Sequence, residues 1–189
     1  MSALPAALGR VRPAVEHRLT QVLEDCHRRW EDLGQAAPEL LEAAGSVLSG
    51  GKRMRAVLGA VGCAILSTPE QRAECLTGSD AVHLGAALEL YQASALVHDD
   101  LMDGADTRRG LPAAHRVFAR DHEARGWLGR PQTFGANGAI LLGDLLLSLA
   151  GEQMSALAPS RASSKTGNSA RSAFDAMTTE VALGQFLDV

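Results

Sequence analysis

The chain has 189 residues, 46% hydrophobic and 21% charged, with 18 Lys and Arg against 22 Asp and Glu for a net charge of −4. That length allows one domain with a substantial core, and the composition is ordinary for a globular chain. The acidic balance excludes a general nucleic-acid binder, so any basic cluster must serve something small and anionic. Cys26, Cys63 and Cys75 lack metal-type spacing and read as small apolar residues in a reducing compartment. Met1 to Val11 has no charged region followed by a long apolar core, so it does not read as a signal peptide. The longest apolar run, Ala139 to Leu149, includes Asp144 and is too short to span a bilayer. The expectation is a cytoplasmic protein without stable membrane insertion.

No sustained strand-like alternation occurs, so the predicted class is all-α. The seven prolines read as punctuation between helices. Pro13 to Leu33 carries Val15, Leu19, Val22, Leu23, Cys26 and Trp30 at spacings of three and four, an amphipathic helix. Pro38 suits the first turn of a second helix ending near Ser49. Arg55 to Leu66 reads as a third, largely buried helix, and Glu70 to Leu76 as a short one. Ser79 is the expected N-cap of a nearly all-apolar helix, with Asp80 in its first turn. Gly104 should end that helix. Arg116 to Arg125 is polar enough for a surface helix or a lid, and Gly126 to Gly138 reads as a loop. Ala139 to Leu157 is a core helix in which Asp144 is expected to be buried and structural. Ala158 to Arg171 is a connection, and Ser172 to Val189 begins a final helix.

The chemistry concentrates where the apolar helix ends. Asp99, Asp100 and Asp103 crowd its last turn, although a helix C-terminus carries partial negative charge and favours Lys or Arg. Asp99 and Asp103, four apart, share a face and repel. Such rule-breaking is expected at functional sites. A divalent cation relieves it, and Mg²⁺ takes one or two carboxylates plus substrate phosphate oxygens. Arg108 and Arg109 follow at once, suited to bidentate phosphate contacts. Upstream, Gly50-Gly51-Lys52-Arg53-Met54-Arg55 sets two glycines before three cations at a helix start, an anion-binding pattern. The local chemistry is metal plus diphosphate.

Asp99-Asp100-Leu101-Met102-Asp103 with Arg108-Arg109-Gly110 resembles the first aspartate-rich motif of the trans-isoprenyl diphosphate synthases, or polyprenyl synthetases. The Gly50–Arg55 segment resembles their other N-terminal signature, except that Ala56 stands where the family usually has proline. The resemblance runs from about Leu40 to the end. It implies an all-α orthogonal helical bundle of the isoprenoid synthase type, and a homodimer. It implies Asp99 and Asp103 as Mg²⁺ ligands for an allylic diphosphate, with Asp100 and Asp106 variable in the family. Arg108 would reach that diphosphate. Gly51, Lys52, Arg55, Gln92 and Arg109 would hold isopentenyl diphosphate. Gln185 and Asp188, in Gly184-Gln185-Phe186-Leu187-Asp188, resemble the segment facing the allylic chain and its diphosphate. His98 is expected to point away from the Asp99/Asp103 face, as a packing residue.

The implied reaction is Mg²⁺-dependent prenyl transfer between isopentenyl diphosphate and an allylic diphosphate. Chain length should follow the residues upstream of Asp99. In the family, large aromatics four or five positions before the first aspartate close the cavity, and here Ala95 and Ser94 are small. Tyr91, a turn further back, is the next floor, giving a geranylgeranyl-length product or longer. The family also carries a second aspartate-rich motif, preceded by a Lys-Thr pair, beyond its Gly-Gln-x-x-Asp segment. This sequence reaches Val189 without either. The expectation is one all-α domain over 1–189 forming the N-terminal part of a synthase, inactive alone. An accessory subunit of a heteromeric synthase and a class I terpene cyclase are the alternatives. The cyclase gives no reason for the Gly-Gly-Lys-Arg-x-Arg and Arg-Arg-Gly segments.

Overall fold

In a computed structural model, residues 3–34, 36–65, 67–157 and 170–188 are described. Helices dominate: α1 (Ala3–Arg29), α2 (Ala36–Leu48), α3 (Met54–Ile65), a short α4 (Arg72–Cys75), α5 (Ser79–Met102), α6 (Ala114–Ala124), α7 (Pro131–Ser155) and α8 (Ala170–Asp188). Between α5 and α6 lie two paired residues on each side, β1 (Thr107–Arg108) and β2 (Leu111–Pro112), antiparallel with Arg108 opposite Leu111.

The bundle is organised around α5. Its buried positions are mostly small, among them Ala81, Gly85, Ala86, Ala87 and Ala93, so several helices approach it closely. At Gly85 a Cβ would come within 2.8 Å of Val15 on α1 and 3.1 Å of Ala56 on α3. On another side α5 packs along α7, and α7 also packs against α6. Leu90 of α5 and Leu142, Leu146 and Leu149 of α7 are fully buried, each contributing about 1.5–3 kcal/mol. Gln153 is the polar node of this core. Its Oε1 accepts from Arg18 Nε on α1 and meets His83 Nδ1 on α5, each at 2.9 Å.

Several sequence expectations are corrected. Helix α1 runs straight through Pro13, with Gly9 four residues earlier facing open space. Ser79 is the first helical residue of α5, and the N-cap is Gly78, with no side-chain cap. Helix α3 buries only a stripe of alanines, Ala56, Ala60 and Ala64, while Leu58 and Ile65 are exposed. The expected loop over Gly126 to Gly138 is helical from Pro131, which sits at the first turn of α7. Its glycines are contact points rather than breaks. A Cβ at Gly135 would lie 2.3 Å from the His115 carbonyl, and one at Gly138 would lie 2.8 Å from the Phe118 ring. The apolar stretch is therefore longer than Ala139 to Leu149, and α7 is long and apolar enough by composition to cross a bilayer. Here one stripe of it packs against α5 and α6, and Ile140 and Leu141 remain exposed. Asp144 is 61% exposed, on the face of α7 turned from the core. Residues 116–124 are helical, within α6, which packs on α7 and buries His115 and His122. The connection expected from Ala158 lies, through residue 169, outside the described residues. Cys26, Cys63 and Cys75 are free thiols, and burial pushes Cys26 and Cys63 above the usual thiol range.

Candidate active site

Helix α5 ends in a two-bond left-handed cap. Gly104, at φ 64°, donates to the Leu101 carbonyl at 3.2 Å, and Ala105 donates to the Asp100 carbonyl at 2.9 Å. The chain then turns back through the β1–β2 hairpin. Arg109 (φ 54°) and Gly110 (φ 79°) form its two-residue turn, and two positive φ values match the strand twist. Arg108 ends the strand and Arg109 begins the turn, so the two guanidiniums reach different partners from adjacent positions.

Arg108 returns to the helix end. Its Nε donates to Asp100 Oδ1 at 2.7 Å, and its Nη2 donates to Asp99 Oδ2 at 2.8 Å and also reaches Asp100. The hydrogen bond to Asp100, more than any other contact, raises the Arg108 pKa further above its ordinary value. The crowded carboxylates thus gain the cation that the helix terminus wants. The other oxygen of Asp99 accepts from Gln185 Nε2 of α8 at 3.2 Å. Asp99, Asp100, Arg108 and Gln185 form one connected cluster.

Arg109 turns to the glycine loop. A Cβ added at Gly51 would lie 3.3 Å from Arg109 Nη1, so the glycine admits the guanidinium. Between the end of α2 and the hairpin lies a cleft of ≈ 80 Å³ lined by Ser46, Ser49, Asp100, Arg108 and Arg109. Lys52 and Arg55 are exposed at the start of α3. Gln92 is half-buried on α5, three residues past Glu89, which holds the α3 start through the Ala56 N–H (3.4 Å). The family's proline has no such N–H to give.

Below the carboxylates runs a groove of ≈ 720 Å³. Helix α5 supplies Tyr91, Ser94, Ala95, His98 and Met102, α7 supplies Leu147, and α8 closes the side with Thr178, Ala182 and Phe186. At the end away from Asp99, Tyr91 meets the Phe174 ring edge-on at 5.7 Å, and its hydroxyl donates to the Thr178 carbonyl at 3.5 Å. His98 packs against α7, with Nε2 also 3.8 Å from Asp144. A Cβ at Gly143 would overlap its ring, and its Nε2 donates to the Ile140 carbonyl at 3.2 Å. It also lines the groove.

Not every candidate joins the cluster. Asp103, the C-cap of α5, donates its backbone N–H to the Asp99 carbonyl at 2.9 Å, but its exposed side chain and that of Asp188, near the end of α8, form no hydrogen bond or ion pair with the other candidates among the described residues. Asp106 pairs instead with Arg116 on α6 at 2.8 Å. Sequence reasoning undervalued Asp100, which is nearly buried under Arg108. It missed Arg53 and Glu89, a part-buried pair 3.3 Å apart, and Phe174. Glu89 was findable, as a lone carboxylate inside an apolar helix demands a partner.

Comparison with known proteins decides the family. The family model described as Polyprenyl synthetase matches residues 37–189. The chain belongs to the polyprenyl synthetase family. Geranylgeranyl pyrophosphate synthase 12, chloroplastic, of Arabidopsis thaliana is 37% identical over 111 residues, 58% of this chain and 24% of that protein. Geranylfarnesyl diphosphate synthase of Natronomonas pharaonis is 33% identical over 175 residues, 84% of this chain and 44% of that protein. Among solved structures, a geranylgeranyl pyrophosphate synthase from Corynebacterium glutamicum, complexed with isoprenyl diphosphate and magnesium, superposes with TM-score 0.77 at 33% identity. That match covers 95% of this chain and 49% of the other. The chain thus has the all-α isoprenoid synthase fold and spans a quarter to a half of these polyprenyl synthetases.

Proposed function

We propose that the protein to which this chain belongs is a Mg²⁺-dependent trans-prenyltransferase. It condenses isopentenyl diphosphate with an allylic diphosphate to a product of geranylgeranyl length or longer. The observation that carries this reading is the groove: apolar along its length, headed by the Asp99–Arg108–Gln185 cluster, and flanked at that head by Arg109 against Gly51. The kinship to geranylgeranyl and geranylfarnesyl diphosphate synthases supports it.

The donor set fits magnesium. Asp99 and Asp103 stand one helical turn apart at an open helix end, two carboxylates of the kind Mg²⁺ uses together with phosphate oxygens. Among the described residues no third acidic, His or Cys side chain completes a protein-only cage. The site is therefore an open one that a diphosphate would share. Bound there, Mg²⁺ would neutralise the charge growing on the departing diphosphate.

This chain's own residues do the rest. Arg108 lies within reach of the same head and would add two donors to the allylic diphosphate. Gln185 orients Asp99 through its 3.2 Å bond. Lys52, Arg55 and Arg109, with the backbone of Gly51 and the amide of Gln92, would hold the diphosphate of isopentenyl diphosphate. Ser94, Ala95, His98 and Leu147 exclude water from the allylic carbon that develops positive charge. The double bond of isopentenyl diphosphate attacks that carbon, the carbon–oxygen bond to diphosphate breaks, and a proton leaves the new chain. We also propose a homodimer, for Phe134, Ile140 and Leu141 give α7 an exposed apolar face.

The test is product analysis of the longest natural reading frame containing this chain, with Mg²⁺, labelled isopentenyl diphosphate and allylic diphosphates of five to fifteen carbons. Linear diphosphates absent when magnesium is chelated, and absent in Asp99→Ala, are expected. A cyclic hydrocarbon from one allylic substrate, or activity only with a second subunit, would overturn the reading.

A further inference from the structure

The Gly50–Arg55 segment presents three cations, but the fold spends one of them internally. Arg53 is 9% exposed, while Lys52 and Arg55 on either side are open to solvent. Arg53 also has φ 51°, a left-handed conformation that is unfavourable for a non-glycine residue. Such strain persists only where the surroundings over-determine it.

The surroundings do so. Arg53 Nη1 donates to Glu89 Oε2 at 3.3 Å, and Nη2 donates to the carbonyl of Leu48, the last residue of α2. Nε lies 3.7 Å from Glu16 on α1. One guanidinium therefore ties the loop to three helices and satisfies a terminal carbonyl. Glu89 is nearly buried itself. Its second oxygen accepts the Ala56 N–H, in the first turn of α3, where a carboxylate also meets the positive end of the helix dipole. The loop is thus clamped from both edges. Between the clamps, Gly51 lies against Arg109 and Lys52 faces out.

We propose that Arg53 and Glu89 are positioning residues for the non-allylic substrate. Their pair fixes the backbone of residues 50–56 so that Lys52 and Arg55 present their charges to one diphosphate beside Arg109. This rests on the function proposed above. Neither residue touches the substrate, and the pair sets how the neighbours meet it. Asp99, Arg108 and the groove lie outside the clamp, so allylic binding and the chemical step do not depend on it.

The experiment is steady-state kinetics of the full-length protein carrying Glu89→Gln or Arg53→Lys, each checked for folding by circular dichroism and thermal melting. The expected result for Glu89→Gln is a KM for isopentenyl diphosphate raised on the order of tenfold to a hundredfold, with a smaller rise for Arg53→Lys. The allylic KM and kcat stay within about twofold of wild type, the signature of lost substrate binding alone. Unchanged KM values in a folded variant, or a parallel loss in kcat and both KM values, overturn the proposal. Breaking a buried pair can unfold a protein. Arg53→Lys keeps the charge opposite Glu89, and its expected smaller shift in the same direction serves if Glu89→Gln does not fold. Calorimetric binding of inorganic pyrophosphate with magnesium chelated reads the basic site without turnover. Weaker binding in the variants supports the pair, and equal binding overturns it. A wild type without prenyl transfer that still shows this difference refutes the function and not the clamp.

Discussion

The length of the product is where the groove makes its sharpest commitment. Tyr91 lies eight residues before Asp99 on one helix, so at about 1.5 Å per residue its position is about 12 Å along the helix axis from the first carboxylate's. Ser94, five residues before Asp99, stands about 7.5 Å below it and is buried in the wall. A prenyl unit adds four chain carbons, about 5 Å when extended, from carbon–carbon bonds near 1.5 Å, so the about 4.5 Å between the Ser94 and Tyr91 levels corresponds to about one unit. Tyr91→Ala does not open the groove without limit, because Phe174 lies behind it at 5.7 Å. The single substitution should therefore lengthen the product by about one five-carbon unit. Tyr91→Ala with Phe174→Ala should lengthen it further, while Ser94→Phe should shorten it to fifteen carbons. Phe174 is 7% exposed, so its truncation carries about 3–5 kcal/mol of destabilisation, and the double variant needs assaying well below its melting temperature. The readout is mass spectrometry of dephosphorylated products at matched turnover. An unchanged product distribution from an active Tyr91→Ala enzyme would show that the ring pair is not the floor.

Two further predictions concern the fold beneath the site. Gly135→Ala should lower the melting temperature by about 2–12 °C, from an overpacking cost of about 1–3 kcal/mol, since its Cβ would sit 2.3 Å from the His115 carbonyl. Gly151→Ala on the same helix meets nothing within 4 Å and should be neutral or slightly stabilising; equal melts for the two variants would refute the packing account. His115 is buried with Nδ1 unpartnered, and burial, aided by the Arg116 charge, lowers its pKa. The unfolded chain then binds the proton more readily, so this contribution is present above about pH 6.5 and fades as pH falls below it. Urea titrations at pH 7 and pH 5 should show a smaller acid loss for His115→Phe than for wild type, and equal losses would refute it.

Much of this was legible because the chemistry is written in short range. The three aspartates at a helix end, Gly104 as its stop and the Arg-Arg-Gly turn all lie within a dozen residues. Their conflict with the helix dipole is visible without coordinates. What was not legible depends on the third dimension. The glycines of the α7 start read as loop because glycine has two uses, conformational freedom and close approach, and only the neighbouring α6 shows that Gly135 and Gly138 serve the second. Asp144 was expected inside because its neighbours are apolar, yet α7 is apolar beyond its buried stripe. Arg53 and Arg55 carry the same charge two positions apart. Nothing in the string tells which one the fold will bury.

The same limit explains why the paired arginines read as one feature when they are two. A two-residue turn with positive φ at both positions reverses the chain within the motif. It sends Arg108 to Asp99 and Asp100 and Arg109 to the glycine loop. A longer connection would hold the two side chains in a less fixed relation, because the tight turn sets the register. Gly110 has φ 79°, so a bulkier residue there strains the turn and slackens both arginines together. The carboxylates at the wrong end of α5 are tolerable because this turn delivers a cation to them. The cleft beside them is lined by both arginines and by Asp100, and the same turn carries Arg109 on to Gly51. One hairpin thus couples the two diphosphate sites of the proposed reaction, which is why glycine follows the arginines.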